Sequence, residues 1–143
     1  MKKLIVALLL LTSPALAEAI GTVKTTGLIF KDSVTINAVD DPTIGGITCY
    51  VTSTEIGGPN LEDPTDSSIA CRQTGTIQGT LTGAEDIFKK SKSVLFFKKM
   101  HVDRFYDQKR NVLVYISYTS KFTGPNASHS ISVVPLNFPL VTN

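Results

Sequence analysis

Apolar residues fall into two patterns along this chain. Residues 4–11 form one unbroken apolar run. After it, apolar positions come in short stretches rich in Val, Ile, Thr, Tyr and Phe, separated by Gly, Pro, Asp and Asn, which is the punctuation of β-strands. Val34–Val39 reads as a strand that stops at Asp40-Asp41-Pro42. Gly45-Gly46 precedes a second strand, Ile47–Thr52, and Gly57-Gly58-Pro59-Asn60 marks a surface loop. Ile87-Phe88, Val94–Tyr106 and Val112–Thr119 are strand-like as well. One segment reads as a helix, Pro64–Gln73. There Asp63 is the N-cap, Pro64 the first helical residue, Asp66 a first-turn acid and Gly75 the left-handed cap that follows.

The last two strands suggest a hairpin across Asp107-Gln108-Lys109-Arg110-Asn111, because Asp opens turns and Asn tolerates the left-handed conformation. A three-residue loop places Tyr106 opposite Val112, Arg104 opposite Val114 and Val102 opposite Ile116. The expected core face is then Met100, Val102, Arg104, Tyr106, Val112, Val114, Ile116 and Tyr118. A loop of even length would instead swap one strand's faces. On the expected face Arg104 is the exception. A guanidinium cannot give up its charge, so it needs a carboxylate, and Asp40 or Asp41 at the end of the earlier strand could supply one as a buried ion pair. The expected fold is all-β, a mainly antiparallel sandwich or open barrel, with one short helix and one disulfide.

The first run changes how the rest is read. Lys2 and Lys3, then Leu4–Leu11, then Ala15-Leu16-Ala17 read as a secretory signal peptide over residues 1–17, with cleavage expected after Ala17 or after Ala19. Eight apolar residues rise only about 12 Å as a helix and cannot span a bilayer, so no transmembrane anchor is expected in the mature chain. Residues 18–143 suit a single domain. The whole chain carries 14 basic and 12 acidic residues, and losing Lys2 and Lys3 leaves the mature chain neutral. That argues against a nucleic-acid binder. The charge is divided all the same, with residues 18–66 net acidic and residues 67–143 net basic.

Cys49 and Cys71 are the two cysteines, and in an oxidising compartment an even pair reads as a disulfide. In the chain-entropy picture the cross-link stabilises by roughly 3.4 kcal/mol. Lys89, Lys90, Lys92, Lys98 and Lys99 crowd together among Phe88, Phe96 and Phe97. They suit either an aggregation-resistant strand edge or a face for an acidic ligand or partner. His101 and His129 are the only histidines, and no metal-ligand spacing occurs, so neither a metal nor a cofactor is expected. Ser128-His129-Ser130 lacks the setting of a nucleophile elbow, which leaves a hydrolase using His129 as an alternative and no catalytic residue assigned.

Several blocks occur together in order: Ile20-Gly21-Thr22-Val23, Asp40-Asp41-Pro42, Thr48-Cys49-Tyr50-Val51, Ser68-Ile69-Ala70-Cys71, Phe88-Lys89-Lys90, Arg104 to Asn111, and Ile131-Ser132-Val133-Val134-Pro135. They resemble the CreA family of small bacterial periplasmic proteins. The resemblance covers nearly all of the mature chain, and residues 76–86 match it poorly. It implies a Gram-negative periplasmic location and a link to a carbon-source-responsive regulatory locus. It supplies no catalytic residue and no ligand. The expected function is a non-catalytic binding or interaction module. An inhibitory or structural module docking on another envelope protein is a further alternative.

Overall fold

The computed structural model describes residues 17–24, 33–55, 68–89, 100–119 and 129–136. Seven strands run through them: β1 (Glu18–Lys24), β2 (Ser33–Asp40), β3 (Gly45–Glu55), β4 (Ile69–Gln78), β5 (Met100–Asp107), β6 (Val112–Thr119) and β7 (His129–Pro135). They form two antiparallel sheets, one in the order β1-β2-β3-β4 and one in the order β5-β6-β7. The all-β expectation holds.

The expected helix does not form. Within Pro64–Gln73, residues 69–73 belong to β4, residues 64–67 lie outside the described residues, and no helix occurs among those described. The cap-like residues before the segment gave a local helical signal. The segment itself alternates with period two, Ile69 and Cys71 facing in and Ala70 and Arg72 facing out. Gly75 lies inside β4 and caps nothing. An added Cβ at Gly75 would meet the Gly46 Cα in ordinary contact at 3.6 Å, whereas one at Gly46 would collide with the Gly75 carbonyl oxygen at 2.7 Å. Gly46 itself has φ +84°, at the bulge where β3 shifts register against β4.

The β5–β6 hairpin also departs from expectation. Asp107 pairs with Val112, Arg104 with Tyr115 and Val102 with Ser117. The loop is residues 108–111, one residue longer than the sequence suggested, with Asn111 in the left-handed region at φ +52°. The even loop leaves the β5 face as expected, with Met100, Val102 and Arg104 inward. It reverses β6, so Leu113, Tyr115 and Ser117 face in while Val112, Val114 and Ile116 do not.

The core draws on both sheets. Val39, Ile47, Cys49, Val51, Ile69 and Cys71 come from the first; Met100, Val102, Leu113, Tyr115 and Val134 come from the second. Ile44, Ile87, Phe88 and Leu136 close it from the connections. On one side the sheets meet along β4 and β7 through serine hydroxyls. The Cys71 amide donates to Ser132 Oγ at 2.8 Å and the Ile69 amide to Ser130 Oγ at 3.4 Å. On the other side, residues 84–87 run beside β5. Ala84 and Arg104 exchange backbone hydrogen bonds, and the Ile87 amide donates to the Val102 carbonyl. The open edge of β5 is thereby covered.

Candidate functional site

Arg104 lies inside, only 2% exposed. Its carboxylate partner is Asp41, from the turn after β2, and not Asp40. Arg104 Nη1 donates to Asp41 Oδ1 at 2.6 Å and to Oδ2 at 2.5 Å. The same nitrogen reaches Thr43 Oγ1 at 2.9 Å, and Nε donates to the Thr82 carbonyl at 2.9 Å. Tyr115 OH donates to Asp41 Oδ2 at 2.7 Å. Asp41 Oδ1 also accepts the amides of Thr43 and Ile44, both at 2.9 Å, so one carboxylate closes the β2–β3 turn and clamps the second sheet. Asp40 points to solvent and accepts from Thr48 Oγ1 at 2.7 Å. Chain direction separates the two acids, because adjacent strand residues face opposite ways.

Burial works to raise the pKa of the Asp41 carboxyl. The hydrogen bond from Arg104, then those from Thr43, Tyr115 and Ile44, outweigh it, and the carboxyl sits below its ordinary value. The Tyr115 phenol is pushed far above its ordinary range by burial first, then by the Asp41 charge. Tyr115 therefore stays a neutral donor. The cluster is a charge-satisfied joint between the sheets, and every described contact is internal to the protein.

Other expected positions scatter. Cys49 and Cys71 are bonded across directly opposed positions of β3 and β4, with Cα atoms 3.9 Å apart. Lys89 is exposed, while Lys90, Lys92, Lys98 and Lys99 lie outside the described residues. His129 opens β7 on the exposed side, opposite Tyr118, and Ser130 turns inward to β4. No group of three or more His, Cys, Asp or Glu side chains forms a metal-sized cluster among the described residues.

A second cluster lies on the opposite face of β5. The imidazole Nδ1 of His101 donates to Asp86 Oδ1 at 2.5 Å. His101 stacks on Tyr118 with ring centroids 5.2 Å apart. Tyr118 OH donates to Asp103 Oδ2 at 3.2 Å, and Asp103 Oδ1 accepts the Asp86 amide at 2.8 Å, which closes the ring of contacts. Asp86 holds a left-handed φ of +47°, a conformation that Asp adopts more readily than most residues. The Tyr118 phenol is raised by burial, then by the charge of and hydrogen bond to Asp103, then by the charges of Asp86 and Glu85.

This cluster ends a larger outward face. Reading across β5, β6 and β7, the rows are Asp107–Val112–Pro135, Phe105–Val114–Val133, Asp103–Ile116–Ile131 and His101–Tyr118–His129. Its apolar members on the outer strands are open to solvent, with Phe105 56%, Val133 51% and Ile131 63% exposed, and Val112, Val114 and Ile116 of the central strand are half-buried. Over residues 130–133 of β7 the usual pattern is inverted, before Val134 returns to the core. Ser130 and Ser132 face the molecule's interior, while Ile131 and Val133 face water.

A family model described as CreA protein matches residues 20–138. The chain belongs to the CreA family. Protein CreA of Escherichia coli strain K12 is 37% identical over 147 aligned residues, which cover 91% of this chain and 90% of that protein. Protein CreA from Escherichia coli O6:H1 and from O157:H7 match with the same identity and coverage. No solved structure matches the chain. Asp41–Arg104, the disulfide and the outward face all lie within the span matched to CreA.

Sequence reasoning within this CreA-type fold found Arg104 and the acidic pair that holds its partner. It missed Thr43, Thr82 and Tyr115, and it missed His101–Asp86. The one available signal for the second cluster was that His101 and Asp103 alternate with the inward residues of β5 and so share a face.

Proposed function

We propose that this CreA-family protein is an exported, non-catalytic interaction module of the periplasm, whose outward β5–β6–β7 face docks on a protein of the cell envelope. Residues 1–17 act as the cleaved signal in this reading. Cleavage after Ala17 leaves all of β1, which begins at Glu18, whereas cleavage after Ala19 removes the pairs Glu18–Ala38 and Ala19–Asn37. Among the described residues no helix is long and apolar enough to cross a membrane.

The inverted pattern of β7 is the observation that carries the proposal. Fully burying a Val or Ile side chain is worth about 1.5–3 kcal/mol, and Ile131 and Val133 forgo much of it while Ser130 and Ser132 occupy two of the three inner positions and Val134 the third. The inner serines have a structural task at the β4 backbone. The outer Ile and Val, continuous with Phe105, have none within the described residues. A contiguous exposed apolar patch marks an interaction site. The carbon-source-responsive role implied by the family resemblance is, on this reading, exerted through the docked partner.

Two measurements test the proposal. Osmotic-shock fractionation should release a shortened chain beginning at Glu18 or Ile20. A photocrosslinking residue at position 131 or 133, introduced in exporting cells, should give one discrete protein adduct, and the same residue at Thr22 should not. Retention in the cytoplasm, or adducts that do not depend on position, would sink it.

A further inference from the structure

We infer that the occupant of the outward face is a single cationic amphipathic helix of a partner protein. This rests on the docking reading of that face and adds the chemistry of what docks there. Size comes first. Three strands about 4.8 Å apart, read over four rows about 6.8 Å apart, make a face of about 10 by 20 Å. One α-helix is about 10–12 Å wide, and about 14 residues span 20 Å. A second copy of the chain would need about 800 Å² per partner for a stable interface, several times the projected area of this face.

Charge supplies the rest. Residues 67–143 are net basic, yet their four acids are Glu85, Asp86, Asp103 and Asp107. Asp103 and Asp107 lie on this face, Asp86 holds His101 at its end, and Glu85 is near enough for its charge to act on Tyr118. Asp107 is engaged by Arg110 at 2.8 Å. Among the described residues the carboxylates therefore gather at the His101–Tyr118 end, where Glu85, Asp86 and Asp103 share the neighbourhood of His101, His129 and Lys89, whose amide bonds the Asp86 carbonyl. A helix laid along the strands over Phe105, Val114, Val133, Ile116 and Ile131 brings one of its ends, and its flank over β5, to that end. Lys or Arg there meets carboxylates, and Glu or Asp would meet like charge.

The test uses the mature chain and three synthetic helical peptides of about 18 residues. They share one Leu stripe, and their flanks are Lys/Arg, Gln or Glu. By fluorescence anisotropy in about 50 mM NaCl, the cationic peptide should bind at least ~10-fold more tightly than the acidic one, and raising the salt to about 500 mM should remove most of that difference. Glu85→Gln with Asp86→Asn should weaken the cationic peptide ~5-fold and leave the Gln peptide unchanged. Phe105→Ser with Ile131→Ser should weaken all three peptides ~10-fold or more.

Equal binding of the three peptides, still abolished by Phe105→Ser with Ile131→Ser, overturns the cationic assignment and leaves the docking face standing. Binding that ignores Phe105→Ser with Ile131→Ser overturns both readings, as does absence of binding by every peptide. A wild-type dimer in sedimentation that Phe105→Ser with Ile131→Ser converts to monomer makes the occupant a second copy, and the helix is excluded. Circular dichroism melts of each variant guard against loss of fold, and Val133→Ser serves as a second, independent probe of the same face.

Discussion

β5 carries a cluster of a carboxylate, a nitrogen-bearing side chain and a tyrosine on each of its faces, and the two clusters differ in nearly everything else. Inside, Arg104, Asp41 and Tyr115 are removed from water, and the β2–β3 turn and the distant β5–β6 hairpin converge on one carboxylate. Outside, His101, Asp86 and Tyr118 are partly wet, with about a quarter of the His101 side chain and 30% of the Asp86 side chain exposed. Surroundings, more than residue type, decide what such a cluster does. In the interior an unpaired charge is intolerable, so the pair locks the sheets together. At the surface water replaces a lost partner cheaply, so the same chemistry is free to meet another molecule.

The inner cluster should break hardest. Arg104→Ala strands the Asp41 carboxylate in the core and should lower unfolding free energy by about 3–5 kcal/mol in urea titrations. A double-mutant cycle should show strong coupling of Arg104 to Asp41 and none to Asp40, which would separate the adjacent acids experimentally. Coupling to Asp40 of equal size would contradict the geometry.

Protons should remove the same joint without a mutation. The folded pKa of Asp41 is depressed, so its stabilisation is fully present above the unfolded carboxyl value and is lost as pH falls through the folded one. Stability should therefore decline below about pH 4, the unfolded range for Asp. In Asp41→Asn the curve should start lower and decline less steeply over the same range, as followed by urea midpoints. A parallel decline in wild type and variant would place the acid sensitivity elsewhere.

Tyr115→Phe removes one hydrogen bond to the buried carboxylate and keeps the ring, so a loss of about 1.5–3 kcal/mol is expected. On the outer face, His101→Ala or Asp86→Asn should change stability by no more than about 1 kcal/mol. Ile131→Ser should fall within about 0.5 kcal/mol of wild type, because its side chain is already in water. A large destabilisation by Ile131→Ser would mean the residue is packed, and the contrast between the faces would collapse.

The inner face of β5 and the existence of Arg104's partner were legible in the sequence for a simple reason. A charged residue between Val102 and Tyr106 on an apolar stripe calls for an opposite charge, and the acids after β2 were the nearest in character. The inner face of β6 was not legible, because it depends on one residue in a turn. Asp107 and Asn111 fit a three-residue loop and a four-residue loop alike, and period-two patterning offers either Val112–Val114–Ile116 or Leu113–Tyr115–Ser117 as a plausible core. β7 was not read as a strand, and its alternation alone would point the wrong way. Alternation favours Ile131 and Val133 for the interior, whereas the sheet seam requires hydroxyls there. The helix assigned over Pro64–Gln73 failed because capping signals are local, while the strand is imposed by pairing with β3 and by a cysteine facing another cysteine.

Asp41 also bears on how the molecule assembles. Its bonds to Thr43 and Ile44 are local, but Arg104 lies 63 residues away and Tyr115 lies 74 away. The β2–β3 turn can form while its carboxylate is still hydrated. Water must leave that carboxylate only when the second sheet arrives carrying its guanidinium and phenol. A molecule with one sheet built and the other half-docked would hold a dehydrated anion with no counter-charge, which is a high-energy species. Partly assembled forms are therefore sparsely populated, and the two sheets should melt as one cooperative unit although no backbone ladder joins them among the described residues.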